Sequence, residues 1–165
     1  MMLVREALIT DAAAVAAIYN ESIVAGDSTM ELSKKSGDDL TNRMRGLGPS
    51  EKLLVLEDDG MIQGWGILKK YSDREGYRFA CETSVFLRRE LVGRRTGYGS
   101  SLQSELLRIS KELGYHHVVV KIWAGNTISI RMHQKFGFET VGTQREIGFV
   151  NGTWQDVTIM QLVLS

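Results

Sequence analysis

What this chain lacks narrows its function before any motif does. It has a single cysteine, Cys81, so no disulfide can form within it, and a reducing compartment is the expected setting. Lys plus Arg numbers 20 and Asp plus Glu numbers 20, a balance with no global pull towards nucleic acid or an acidic membrane. Any basic site must then be local. No apolar run approaches the roughly 18 residues of a membrane span. The opening Met-Met-Leu-Val-Arg-Glu shows no signal-peptide pattern, so a cytoplasmic protein is expected, with neither membrane nor nucleic acid as partner. No Gly-Lys-Ser or Gly-Lys-Thr occurs, which removes the P-loop, and Leu102 stands where a dinucleotide fingerprint needs its last glycine. Repeats, linkers and low-complexity segments are absent, and 43% hydrophobic against 24% charged residues fits one globular domain over residues 1–165.

What is present centres on Arg94-Arg95-Thr96-Gly97-Tyr98-Gly99-Ser100. Two glycines one residue apart leave backbone N–H groups unshielded and permit positive φ. Behind them Leu102, Leu106, Ile109 and Leu113 recur as the stripe of an amphipathic helix, and ahead Val85-Phe86-Leu87 reads as a strand end. Strand, basic glycine turn and helix N-terminus in that order make an anion site, and two arginines in the turn point to phosphate. A tight turn with no ligand is the plain alternative for this stretch alone.

The rest of the chain supplies a sheet. Leu3–Ala7 reads as a first strand, and Thr10 or Asp11 as the cap of a helix over Ala12–Val24. A polar loop, Ala25–Ser36, leads to a second helix over Asp38–Leu47, closed by glycines and the only proline, Pro49. Lys52–Glu57 and Met61–Lys70 flank the turn Asp58-Asp59-Gly60 as a hairpin. Tyr77–Leu87 alternates as a long strand whose odd positions form the more apolar face, and Val118–Ile122 suits a buried strand. Asn126 caps a helix through Phe136, and the strands Glu139–Val150 and Thr153–Leu164 enclose the hairpin turn Asn151-Gly152. This order predicts an α/β fold (α+β in looser usage), a mixed and mostly antiparallel twisted sheet with helices on both faces.

Three stretches, Arg94-x-x-Gly97-x-Gly99, Asn126-x-x-Ser129-x-x-x-His133-x-x-x-Gly137-Phe138 and Gly148-Phe149-x-Asn151-Gly152-x-Trp154-x-Asp156-Val157, together resemble the GNAT N-acetyltransferase superfamily. Arg74-x-x-Tyr77 and Cys81-Glu82-Thr83-Ser84-Val85-Phe86-Leu87 are similar to its phosphinothricin and methionine sulfoximine acetyltransferase branch, and the match spans almost the whole chain. Three places depart from that branch. Arg88–Gly93 is about two residues longer, Phe149 replaces a tyrosine, and Met30 stands where the substrate loop has an aromatic.

The resemblance implies acetyl-CoA as acyl donor, with no metal. Its pyrophosphate would lie on the amides of Arg95–Ser100 beside Arg94, and its pantetheine arm along Val85, Phe86 and Leu87, near Asn126 and Ser129. The amide of Val85 or of Phe86 would polarise the thioester carbonyl. Glu82 is the candidate general base, on the strand face opposite the apolar positions. His133 is either a proton donor to the leaving thiolate, as an imidazolium, or a packing residue beside the cofactor. Arg74 would clamp a substrate carboxylate, with Tyr77 and Met30 completing the amine site. Cys81 lies on the apolar face and has no activating neighbour in the sequence, which favours direct transfer over an acyl-enzyme. The expected activity is acetylation of the α-amine of a small amino acid or analogue by a homodimer. Another amine, namely a polyamine, an antibiotic or a protein N-terminus, and a silent CoA-binding relative are the alternatives.

Overall fold

The computed structural model describes residues 1–165. Seven strands form one sheet: β1 (Met2–Glu6), β2 (Lys52–Asp58), β3 (Met61–Lys70), β4 (Ala80–Leu87), β5 (His117–Trp123), β6 (Glu139–Val150) and β7 (Thr153–Val163). Their spatial order is β1-β2-β3-β4-β5-β7-β6, and every ladder is antiparallel except β4 with β5. Four α-helices join them: α1 (Ala12–Ala25), α2 (Gly37–Arg45), α3 (Tyr98–Glu112) and α4 (Thr127–Lys135). The expected class, mixed sheet and helices on both faces are all observed. No helix is long and apolar enough to cross a membrane.

The sheet is buried from two sides because its central strands are apolar on both. Leu53 and Val55 of β2, with Trp65 and Ile67 of β3, pack under α1 and α2. Leu54, Leu56 and Leu68 turn the other way and meet Leu102 and Leu106 of α3. A strand covered on both faces carries a continuous apolar run, which is why Leu53-Leu54-Val55-Leu56 does not alternate. Two glycines in β3 bring α3 close. A Cβ at Gly64 would lie 2.9 Å from the carbonyl oxygen of Phe86, and one at Gly66 would lie 2.9 Å from Leu106 Cδ1.

The turns follow their chemistry. Asp59 and Gly60, and again Asn151 and Gly152, take positive φ at both central positions, the type I′ geometry that matches strand twist. Three expectations need correcting. Neither Thr10 nor Asp11 caps α1 with its side chain. Asp11 instead accepts the N–H of Leu8 at 2.8 Å and binds Arg5 at 2.7 and 3.1 Å, closing a short 3-10 turn that runs into the helix. The long strand starts at Ala80 and not at Tyr77. Glu75–Tyr77 is a 3-10 turn whose backbone is satisfied locally, through Tyr77 to Arg74 at 2.9 Å and Arg78 to Glu75 at 3.1 Å, so Tyr77 and Phe79 stay exposed. Leu113 falls past the end of α3 and is also exposed, while Leu102 and Leu106 are fully buried.

One break in the sheet matters for function. β4 and β5 pair only at Ala80–His117, Cys81–Val118 and Glu82–Val119, and beyond these the strands part.

Gly64→Ala is expected to destabilise the fold by about 1–3 kcal/mol, because the methyl meets backbone that cannot rotate away. A lower urea midpoint with an unchanged slope would show it, and an unchanged midpoint would mean β4 can shift at Phe86 at little cost.

Candidate active site

Two clefts of about 950 Å³ each open where β4 and β5 separate. One is walled by Thr83–Leu87 of β4, Val120–Trp123 of β5 and the start of α4, with Gly93 and Gly99 also in its wall. The other contains Glu82, Lys69, Lys121, Arg43, Met30 and Tyr77. Ser84, Phe86, Lys121 and Trp123 line both, so the clefts meet in the gap between the strands.

The backbone of β4 explains what the gap offers. Ala80 presents its carbonyl to Tyr71 and Arg88 its N–H to Gln63, both on the β3 side, whereas the Phe79 carbonyl accepts from His116 and His117 on the β5 side. Successive residues of a strand point their hydrogen-bonding groups to alternate sides, and the β3–β4 ladder has no register shift. The even residues therefore bond towards β3, and the Thr83 carbonyl with the N–H and C=O groups of Val85 and Leu87 face the gap. Of the two amides open at the sequence level, Val85's faces the gap. Phe86's points at β3, which corrects its candidacy as carbonyl polariser, although its side chain lines both clefts.

The glycine turn is shaped for an anion. Gly93, Arg95 and Gly97 all have positive φ, and Gly97 caps α3. Among the amides of residues 95–100 only that of Tyr98 is used internally, by Thr96 Oγ1 at 3.2 Å, so the others remain free donors at the helix N-terminus. Of this turn Gly99 lines the cleft, while Arg94, Arg95, Thr96, Gly97 and Ser100 are exposed. The Tyr98 side chain turns away and donates to Asp58 Oδ2 at 2.6 Å, fastening the start of α3 to the end of β2.

On α4, Asn126 caps the helix by accepting the Ser129 N–H at 3.2 Å, and its amide NH₂ stays available in the cleft. His133 also lines this cleft but is 5% exposed. Its Nδ1 lies 2.8 Å from the Ser129 carbonyl oxygen, which can only accept, so Nδ1 carries the proton and Nε2 is bare in the neutral ring. Burial pushes the His133 pKa below its ordinary value. An imidazolium proton donor is thus disfavoured, and the geometry supports packing, edge-on to Phe138 at 5.0 Å between ring centres.

In the second cleft the Glu82 carboxylate is 14% exposed, with Lys121 Nζ at 3.2 Å and Lys69 Nζ at 3.9 Å. Lys69 is the residue opposite Glu82 in the ladder, and Lys121 lies two beyond Glu82's partner on β5, so strand pairing puts all three on one face. Met30 and Tyr77 line this cleft as expected. Arg74 does not: it is exposed on the preceding loop, with its N–H held by Ser72 Oγ at 3.2 Å. Arg43 of α2 is the guanidinium in the wall, a residue that no sequence signal singled out. Burial raises the Cys81 thiol pKa to about 11, so it is no nucleophile, and it donates to Ser110 Oγ at 3.7 Å in the core.

Known proteins share this architecture. A phosphinothricin acetyltransferase of Sinorhizobium meliloti, solved in complex with acetyl-CoA, superposes with a TM-score of 0.92 at 30% identity, covering 99% of this chain and 89% of that one. The profile of the acetyltransferase (GNAT) domain matches residues 4–159, and the chain belongs to this acetyltransferase family. An L-methionine sulfoximine/L-methionine sulfone acetyltransferase of Pseudomonas aeruginosa is 31% identical over 98% of this chain and 94% of its own length. An L-amino acid N-acyltransferase of Escherichia coli is 29% identical over 99% of this chain and 94% of its own.

With its folded pKa depressed, neutral His133 contributes stability that is full above about pH 6.5, the unfolded value, and is lost as pH falls through the lower folded value. Thermal midpoints should therefore drop on acidification from about pH 7.5 to 5.5, and His133→Gln should flatten part of that drop. Equal slopes in both proteins would show that His133 charges freely in the folded state.

Proposed function

We propose that this protein transfers an acetyl group from acetyl-CoA directly to the α-amine of a small amino acid or analogue, of the methionine sulfoximine or phosphinothricin type. One observation carries the reading: a shielded carboxylate, Glu82, stands in one cleft beside the gap into which the Val85 amide opens from the same strand.

Acetyl-CoA, when bound, supplies the activated acetyl group. The free edge of β4, from the Thr83 carbonyl through Val85 and Leu87, suits the amides of its pantetheine arm, and the unpaired amides among residues 95–100 suit its pyrophosphate. Glu82 takes the proton from the substrate ammonium, directly or through a water, leaving the lone pair free to attack. The Val85 N–H stabilises the negative charge that develops on the carbonyl oxygen as the amine adds. Collapse then breaks the C–S bond, and CoA leaves as a thiolate that takes up the proton released by the acetylated nitrogen. Arg43, Lys69 and Lys121 line the amine cleft, so a substrate carboxylate or phosphinate finds cations there while a polyamine meets like charge. This moves the carboxylate clamp from Arg74 to Arg43. The named amino-acid acetyltransferases among the relatives support the same substrate class.

A cytoplasmic homodimer completes the proposal. Val141, Ile147, Phe149 and Trp154 expose apolar surface on the last hairpin, and the rings of Phe149 and Trp154 pack at 4.8 Å, a surface that suits a second copy. The unpaired Cys81 fits a reducing compartment.

Thiol release from acetyl-CoA tests the reading against methionine sulfoximine, methionine sulfone, phosphinothricin, common amino acids, spermidine and an aminoglycoside. Turnover should be confined to the amino acids and analogues, with kcat about 10²–10⁴-fold lower in Glu82→Gln while acetyl-CoA binding is retained. Arg43→Ala should raise the amino-acid KM about tenfold or more with a smaller change in kcat. Preference for spermidine or the aminoglycoside would remove the amino-acid assignment, and silence across the panel with acetyl-CoA still bound would indicate a CoA-binding relative without catalysis.

A further inference from the structure

One ion pair ties the loop of the amine cleft to the loop of the phosphate end. Arg89 sits in a 3-10 turn, Arg89–Leu91, between β4 and α3. Its two terminal nitrogens donate to the two carboxylate oxygens of Asp27, at 2.8 and 2.6 Å. Its backbone N–H donates separately to Glu21 Oε1 on α1 at 3.1 Å, so the turn stays anchored whatever the guanidinium does. Arg89 and Asp27 both line the first cleft, as do Gly93 and Gly99 of the anion turn. Their side chains are 45% and 49% exposed, and a pair so open to solvent is screened and exchanges easily.

Asp27 opens the loop that continues through Ser28, Thr29, Met30 and Glu31 into the amine cleft, and Ser28 lines both clefts. Further along, the loop has its own ties. Tyr19 and Thr29 share a buried hydroxyl contact at 3.1 Å, and Asn20 clamps the backbone of Lys35 at 2.7 and 2.8 Å. Before Asp27 stands Gly26 at φ 65°, a natural pivot. The Arg89 pair is therefore the tether of the first turn of the loop alone.

We propose that Arg89 is a phosphate ligand held in reserve by Asp27. The inference rests on the acetyl-CoA reading above. A diphosphate offers the guanidinium the same two-pronged acceptor as a carboxylate with more negative charge, so it displaces Asp27. Arg89 then turns from the loop to the phosphate, and the turn at Asp27 and Ser28 loosens beside the amine cleft. Filling the first cleft thereby frees the turn that borders the second. Arg89 is a binding residue in this scheme, and Asp27 acts only through it.

Calorimetry on the full chain tests this with acetyl-CoA and with pantetheine, which lacks the diphosphate. Asp27→Asn should tighten acetyl-CoA binding about three- to tenfold by removing the competitor, and Arg89→Ala should weaken it about tenfold, with partial recovery in Arg89→Lys. The double variant should match Arg89→Ala, and pantetheine should be indifferent to all of them. Hydrogen exchange at residues 27–31 should quicken when acetyl-CoA is added to wild type and already be fast in Asp27→Asn. The proposal fails if Asp27→Asn weakens acetyl-CoA as Arg89→Ala does, if pantetheine shifts in parallel, or if no variant moves either ligand. Wild type that binds no acetyl-CoA would overturn the cofactor reading itself, an outcome visible before any variant is compared.

Discussion

Everything functional in this chain depends on β4 losing its neighbour halfway along. A strand inside a sheet has every backbone group engaged, whereas β4 is engaged with β5 only as far as Glu82 and Val119. From there its outward groups have no partner in the sheet, and an unpaired strand edge in a cleft suits a ligand that can act as a strand. The gap brings together an extended hydrogen-bonding edge, a carboxylate and an anion turn without asking any loop to provide them.

The surrounding structure keeps that gap in shape. Glycines in β3 let α3 lie against the sheet, and the Tyr98–Asp58 bond fixes where the helix begins, so the free amides of the anion turn point at a defined place. On the other face α1 and α2 cover only the β2 and β3 side through Leu53, Val55, Trp65 and Ile67, which leaves the Glu82 side of the sheet open as a cleft. Glu82, Lys69, Lys121 and Arg43 stand on strands and a helix, whereas Ser28, Thr29, Met30, Glu31, Tyr71 and Tyr77 reach the cleft from connecting segments. That division matches a rigid chemical centre with an adjustable substrate rim.

Most of the framework was legible because its signals are local. The two Asx-Gly turns, the apolar runs of β2 and β5 and the stripe of α3 each depend on residues adjacent in sequence, and each was placed to within a few residues. Glu82 and the glycine turn were also visible, since strand alternation and paired glycines can be read directly. Arg43, Lys69 and Lys121 were not, because their relevance comes from cross-strand pairing and helix docking, which no stretch of sequence contains. Which of the Val85 and Phe86 amides faces the gap needed one fixed point, the hydrogen bonds at Phe79 and Ala80, from which strand parity gives Val85. Arg74 misled because the 3-10 turn at Glu75–Tyr77 turns the chain before the strand begins. His133 needed its burial and its bond to Ser129, both tertiary facts.

The alternation of β4 has a consequence for how such a site can change. Cys81 and Thr83 are buried against α3 while Glu82 between them faces the open cleft, so a one-residue insertion or deletion within the strand would exchange the two sets. The carboxylate would enter the core and the thiol would enter the cleft in a single step, with no workable intermediate. Descent can vary this strand by substitution, or by residues added in pairs, but not by single-residue length changes. Just past the strand end, at Arg88–Gly93, a 3-10 turn can take up extra residues without disturbing parity. The strand works as a reading frame, and the loop after it is where length can change.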